Sequence, residues 1–216
     1  MNSKNIPKNI KDIAQNLNSV EDMIFLLQSP YSYSEKEIMK KQKITCYNKM
    51  DLGTYSYVLE APYGEYKIKG FFEPKFTPKQ MLELGIFEGK YLNDCVLEFP
   101  REWFLDALKN NKLSPEEPNV DCNFFGIKSR QSLQVWEEKD WIYSSDKNID
   151  NRGWFQWYCR YFMGRRDKYL DELQIKRWRS FKRHYGQVEK NCEPGNLECR
   201  PKQRQALLQW SYDCFI

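Results

Sequence analysis

Apolar residues recur every three or four positions through residues 1–30, at Ile13, Leu17, Val20, Met23, Ile24 and Leu27, and Pro30 closes the stretch. That spacing predicts an amphipathic helix. Ser34-Glu35-Lys36-Glu37 then has the form of a capping box, in which the hydroxyl and the carboxylate satisfy each other's backbone donors, and it predicts a short helix reaching Gln42. Residues 54–59 and 65–71 are rich in strand-favouring side chains with partial period-two alternation. They flank Ala61-Pro62-Tyr63-Gly64, so they predict an antiparallel hairpin near 54–72.

Thr77, Pro78 and Gln80 supply a cap, a first-turn proline and the reciprocal cap partner ahead of Met81 and Leu82, and Gly85 is placed to end that helix. Residues 91–97 suggest a further turn or two of helix, and Pro100 opens a helix carrying Phe104, Leu105 and Leu108. Residues 110–128, with two prolines and several asparagines, read as loop. Ser129 or Ser132 is placed to cap a helix over Leu133 and Trp136. Trp141-Ile142-Tyr143 then leads into the polar run 144–150, the best linker candidate.

Beyond it the pattern sharpens. Asp150 or Asn151 is placed to cap a helix in which Trp154, Trp157, Tyr158 and Tyr161 share one face, and Gly164 ends it. Asp167 is placed to cap a longer helix with two stripes. Ile175, Trp178, Phe181, Tyr185 and Val188 form one; Lys176, Arg179 and Arg183 form the other. A turn-rich connector at 192–200 precedes a last helix opened by Pro201 over Ala206, Leu207 and Trp210. Together these elements predict a mainly helical α+β fold with a small antiparallel hairpin packed against helices. Residues 1–150 form a mixed region and 151–216 a basic, aromatic-rich helical region, packed together as one domain.

The chain has 216 residues, of which 16% are aromatic, and so many rings need a dry core. No window approaches the ~18 consecutive apolar residues of a membrane span, so no membrane partner is expected. Residues 1–11 show no apolar run followed by a cleavage site, which predicts an intracellular protein, cytoplasmic or nuclear rather than secreted. The odd number of cysteines, seven, points to free thiols in a reducing compartment. Net charge is +4, but residues 151–216 hold 14 Lys and Arg against 7 Asp and Glu, leaving 20 against 23 for the rest. The positive charge belongs to the last third, which suggests a polyanion-facing surface.

The segment DNRGWFQWYCRYFMGRR at 150–166, followed by DELQIKRW at 171–178, resembles a family of uncharacterised proteins encoded by large DNA viruses, fungi and bacteria. FTPKQMLELG at 76–85, GKYLNDC at 89–95 and EFP at 98–100 extend the resemblance over roughly residues 70–210. It implies membership and transfers no activity, so function has to come from side chains.

The strongest constellation is basic and interleaved with aromatics: Arg152, Arg160, Arg165, Arg166, Lys176, Arg177, Arg179, Lys182 and Arg183, among Trp154, Trp157 and Trp178. Guanidinium forks pair with phosphates, and flat rings or Arg planes stack on exposed bases, so this mixture suits DNA or RNA. The tryptophans at helical spacing fit a core better than a stacking platform. Asp94 and Glu98 lie four apart and share a face if 91–98 is helical, close enough to hold a metal or activate water. His184 is the only histidine, which excludes paired-imidazole sites and leaves a lone acid or base. His184, Cys192, Cys199 and Cys214 lack the short knuckle spacing of a zinc site, so no metal or other cofactor is expected. Walker, dinucleotide, nucleophile-elbow, kinase and deaminase motifs are absent.

Three functions remain open: a nucleic-acid-binding protein using the basic C-terminal helical surface, an enzyme acting on nucleic acid through Asp94, Glu98 or His184, and an interaction module for an acidic protein partner. The pattern leaves the oligomeric state unassigned.

Overall fold

The computed structural model describes residues 6–50, 55–129, 133–138 and 149–216. Helices α1 (Lys8–Gln15), α2 (Val20–Gln28) and α3 (Glu35–Ile38) lead into strands β1 (Lys43–Thr45) and β2 (Ser56–Val58). Helices α4 (Pro78–Leu84), α5 (Arg101–Lys109), α6 (Leu133–Glu138), α7 (Trp154–Met163), α8 (Lys168–Asn191) and α9 (Pro201–Gln209) follow. The fold is mainly helical α+β with one small antiparallel sheet, the class implied by the residue pattern. Positions 141–148, which include most of the expected linker, and Ser132 lie outside the described residues.

Local signals place most helix ends. Ser34 with Glu37 and Thr77 with Gln80 both form complete capping boxes, and Asp167 accepts the Leu170 N–H at the start of α8. The first expected helix is two, because Ser19 takes the Asp22 N–H at 3.1 Å and starts α2 afresh after Asn16-Leu17-Asn18. Helix α3 stops at Ile38, short of Gln42, whose carbonyl is taken by Leu59 N–H beside the sheet. Between residues 91 and 97 the chain makes only a single tight turn, Asn93–Cys95, entered through Leu92 at φ 60°.

The sheet differs from the expected hairpin in one partner. β2 lies where a strand was expected, but it pairs with β1 upstream, Ile44 opposite Tyr57, and not with residues 65–71. The reason lies at the far end of α7, whose last carbonyls need donors. Glu60 and Ala61 N–H both bond to Gly164 C=O, at 2.8 and 3.0 Å, and Gly64 N–H bonds to Phe162 C=O at 2.9 Å. The chain leaving β2 is thereby tied to α7 and cannot fold straight back. Gly164 sits at φ 116°, and a Cβ there would fall 2.1 Å from Ala61 O, so this junction requires glycine.

Helix α7 is the centre of the molecule: all ten of its residues are buried, not only the aromatic face. It lies against α4 and α8, while α4 packs on α5 and α9 on α8. The apolar cluster around it runs from Ile6 to Cys214, drawing on both halves of the chain. Asp150 does not cap α7. Gly153 stands at the cap position, and the Asp150 carboxylate is turned to two arginines described below. Arg204 of α9 is also internal, its guanidinium bonding the carbonyls of Asn196, Cys199 and Cys214 at 3.0, 2.8 and 2.7 Å.

The expectation of free thiols fails at one pair. Cys192 and Cys199 are joined across a separation of seven residues, linking the end of α8 to the approach to α9. The close folding of the connector brings them together, which cysteine spacing alone does not reveal. Reduction, or the double change Cys192→Ser with Cys199→Ser, should lower stability by about 2–3 kcal/mol, the loop-closure entropy of so short a ring. A denaturant midpoint that stays put in reductant, at constant slope, would show that the bridge contributes nothing. Among the described residues no helix is long and apolar enough to cross a membrane.

Candidate nucleic-acid interface

Helix α8 divides as its two stripes require. Ile175, Trp178 and Val188 are buried and Phe181 and Tyr185 half-buried, while Lys176, Arg179, Lys182 and Arg183 are exposed. Trp178 is held from inside: its Nε1–H bonds to Trp210 O at 2.8 Å and its ring stacks on Tyr212 at 4.6 Å. No Asp or Glu occurs between Gln174 and Gln187. Among the described residues no carboxylate forms an ion pair with Lys176, Arg179, Lys182 or Arg183. Arg177 is half-buried on the flank of this face. The helix borders a groove of about 1280 Å³ that also takes in Phe71, Lys75, Tyr161 and Asp213.

Arg160 and Arg165 have a different place from the one expected of them. Both side chains are buried, Arg160 completely. Arg160 donates from Nε to Glu98 Oε1 at 2.6 Å and from Nη2 to Oε2 at 3.2 Å, and its Nη1 reaches Asp150 Oδ1 at 3.0 Å. Arg165 forks onto Asp150, 2.8 Å to Oδ1 and 2.6 Å to Oδ2. Among the described residues two guanidiniums and two carboxylates thus pair inside the protein, over the rings of Tyr55 and Tyr57. Burial pushes the Asp150 pKa up, but Arg165 and Arg160 outweigh it and hold it below the usual carboxylate value. These two arginines cannot meet a phosphate without unpairing buried charge, so they leave the set of candidate contacts.

The remaining candidates are partly committed. Arg152 pairs with Asp94 at 2.7 Å and touches Cys95 Sγ at 2.8 Å. Arg166 stacks on Tyr161 at 4.0 Å and donates to the carbonyls of Tyr161, Arg165 and Glu65. Both therefore brace loops, and the exposed cations of α8 are what remains of the expected interface.

The catalytic candidates do not converge. Without a helix over 91–98, Asp94 and Glu98 part company. Asp94 faces a cleft of about 850 Å³ and accepts Arg152 and the Lys49 N–H, whereas Glu98, 1% exposed, is consumed by Arg160 and Tyr57. The expected carboxylate pair is thus corrected to two separate ion pairs. His184 packs on Phe181 at 4.4 Å and takes a 3.5 Å contact from Arg183 Nε, and among the described residues no carboxylate is hydrogen-bonded to it. Burial and the Arg183 charge hold its pKa below the ordinary imidazole value. Among the described residues no group of His, Cys, Asp and Glu is arranged to hold a metal ion.

Phe71, expected within a strand over 65–71, lies in a turn. It stands 46% exposed beneath the Arg179 guanidinium, 4.4 Å from its ring centre, while its neighbour Phe72 is fully buried. No family model, no curated protein and no solved structure matches the chain.

Proposed function

We propose that the protein binds nucleic acid through the outer face of α8, inside the cell. The observation that carries this reading is the set of exposed cations, Lys176, Arg179, Lys182 and Arg183, with no ion-pair partner among the described residues and no acidic residue between them. An ordinary solvated helix intersperses both signs; a phosphate-facing one does not. The resemblance to proteins of large DNA viruses, fungi and bacteria adds no activity to this. The Cys192–Cys199 bridge is the feature that weighs against a reducing compartment.

The catalytic alternative draws less support. Among the described residues the cleft at Asp94 and the groove beside α8 have no lining residue in common, so Asp94 does not line the groove. Within the groove Asp171 is engaged on both oxygens, by Trp157 Nε1–H at 2.8 Å and Asp167 N–H at 3.0 Å.

Replacing Lys176, Arg179 and Arg183 together by Gln should weaken binding to all sequences alike. The slope of log affinity against log salt should flatten by about two to three units, at about 0.7–0.9 per lost phosphate contact. Thermal stability should stay within about 0.5 kcal/mol, as for surface changes generally. An unchanged salt slope in the triple variant would reduce the helix to a solvated face and remove the reading.

A further inference from the structure

Resting on the reading of α8 as a phosphate-facing surface, we propose that its ligand is a single strand, with an unpaired base stacking at the Phe71–Arg179 platform while the phosphates run along α8. The platform is built, not accidental. Residues 68–72 form a closed knuckle in which Ile68 and Phe72 exchange backbone hydrogen bonds, both at 2.8 Å, and Gly70 turns the tip at φ 73°. Phe72 anchors it from below, edge-on to Trp157, Tyr161 and Trp178 with centroids 5.7, 5.8 and 5.0 Å away. With the knuckle pinned there, Phe71 is held out at the rim of the groove, and Ile68 beside it is 42% exposed.

An aromatic ring covered on one side by an Arg guanidinium offers a stacking layer, ring and cation together, and only unpaired bases have a free π face to lay on it. In a duplex those faces are taken by neighbouring base pairs. Phe71 carries no hydrogen-bonding group, so it tolerates any base. Lys176, Arg179 and Lys182 line the same groove and supply the phosphate contacts. The acidic residues of the groove set the track. Asp213 is neutralised by Lys75 at 2.9 Å and Asp171 is hydrogen-bonded internally, whereas Glu172 and Glu73 are exposed. Glu172, one turn before Lys176, repels phosphate and confines the strand to the helix from Lys176 onward. The groove, about 1280 Å³, exceeds the ~300–1,000 Å³ common for single small ligands, which suits a polymer.

The test compares an oligothymidylate, a duplex of the same length and an abasic deoxyribose-phosphate strand of equal charge, at one salt concentration, with wild-type protein, Phe71→Ala, Phe71→Tyr, Arg179→Lys and the triple Gln variant. The oligothymidylate should bind more tightly than the other two. Phe71→Ala should lose about five-fold or more on it, the order expected for one stacked base, and nothing on the abasic strand. Tyr at 71 should restore binding. Arg179→Lys, which keeps the charge but not the plane, should weaken the oligothymidylate selectively. If Phe71→Ala binds the oligothymidylate like wild type while the triple Gln variant is weakened, stacking is overturned and the phosphate surface stands. If neither variant changes binding, the underlying reading falls as well. A polyglutamate peptide that displaces the oligothymidylate and loses affinity equally in Phe71→Ala overturns the proposal in favour of an acidic protein partner.

Discussion

Asp150→Ala should destabilise the protein by about 3–5 kcal/mol, the cost of leaving buried charge without its partner. Asp150 is fully buried and holds both Arg160 and Arg165 at 3.0 Å or less. Among the described residues its removal leaves the two buried guanidiniums with Glu98 as their remaining carboxylate. The loss reads out as a lower urea midpoint, and a change under about 1 kcal/mol would mean that water enters and screens the pair. The pH dependence has a definite sign. Because the folded pKa of Asp150 lies below its unfolded value, this stabilisation is complete at neutral pH and is lost as the pH falls through the usual carboxylate range and then through the depressed folded value. Asp150→Asn should abolish that part of the acid limb while keeping the side chain's size. If the acid limb of Asp150→Asn superimposes on that of the wild type, another carboxylate governs it.

Trp178→Ala should cost about 3–5 kcal/mol of folding free energy, as a large-to-small truncation in a close-packed core. The ring contacts Phe72 and Tyr212 and its N–H is bonded to Trp210 O, so the change opens a cavity, strips an orphan carbonyl and loosens the docking of α9. The outer residues of the same helix, Lys176 and Arg179, are expected to behave in the opposite way, with little effect on stability and a large one on salt-dependent binding. Any binding lost by Trp178→Ala should return at temperatures where the variant is fully folded. A variant that is folded and stable yet binds poorly would move Trp178 from the core to the interface.

Helix ends were the most legible part of this chain because their chemistry is local. Ser34 with Glu37, Thr77 with Gln80, Asp167 and Pro201 each act within one turn of themselves, so a short window of residues contains the whole cause. The two faces of α8 were legible for a related reason, since a stripe of rings and a stripe of cations at helical spacing can be satisfied together in only one orientation to the core.

The position of β1, the bridge between Cys192 and Cys199, and above all the fate of the arginines were decided by the tertiary structure. A count of charges places every Arg in solvent, because burying one alone costs several kcal/mol. For Arg160 that cost is offset by Glu98, 62 residues earlier in the chain, and by Asp150 just before the helix. The Glu98 half of that compensation lies far outside the window around Arg160. The same separation divided Asp94 from Glu98, close in sequence yet drawn to Arg152 and Arg160. The sequence by itself thus determined the class of fold, the helix punctuation and the polarity of α8, all of which follow from neighbours within a few residues. Which basic residues remain outside to meet a partner depended on carboxylates that only folding brings within hydrogen-bonding distance.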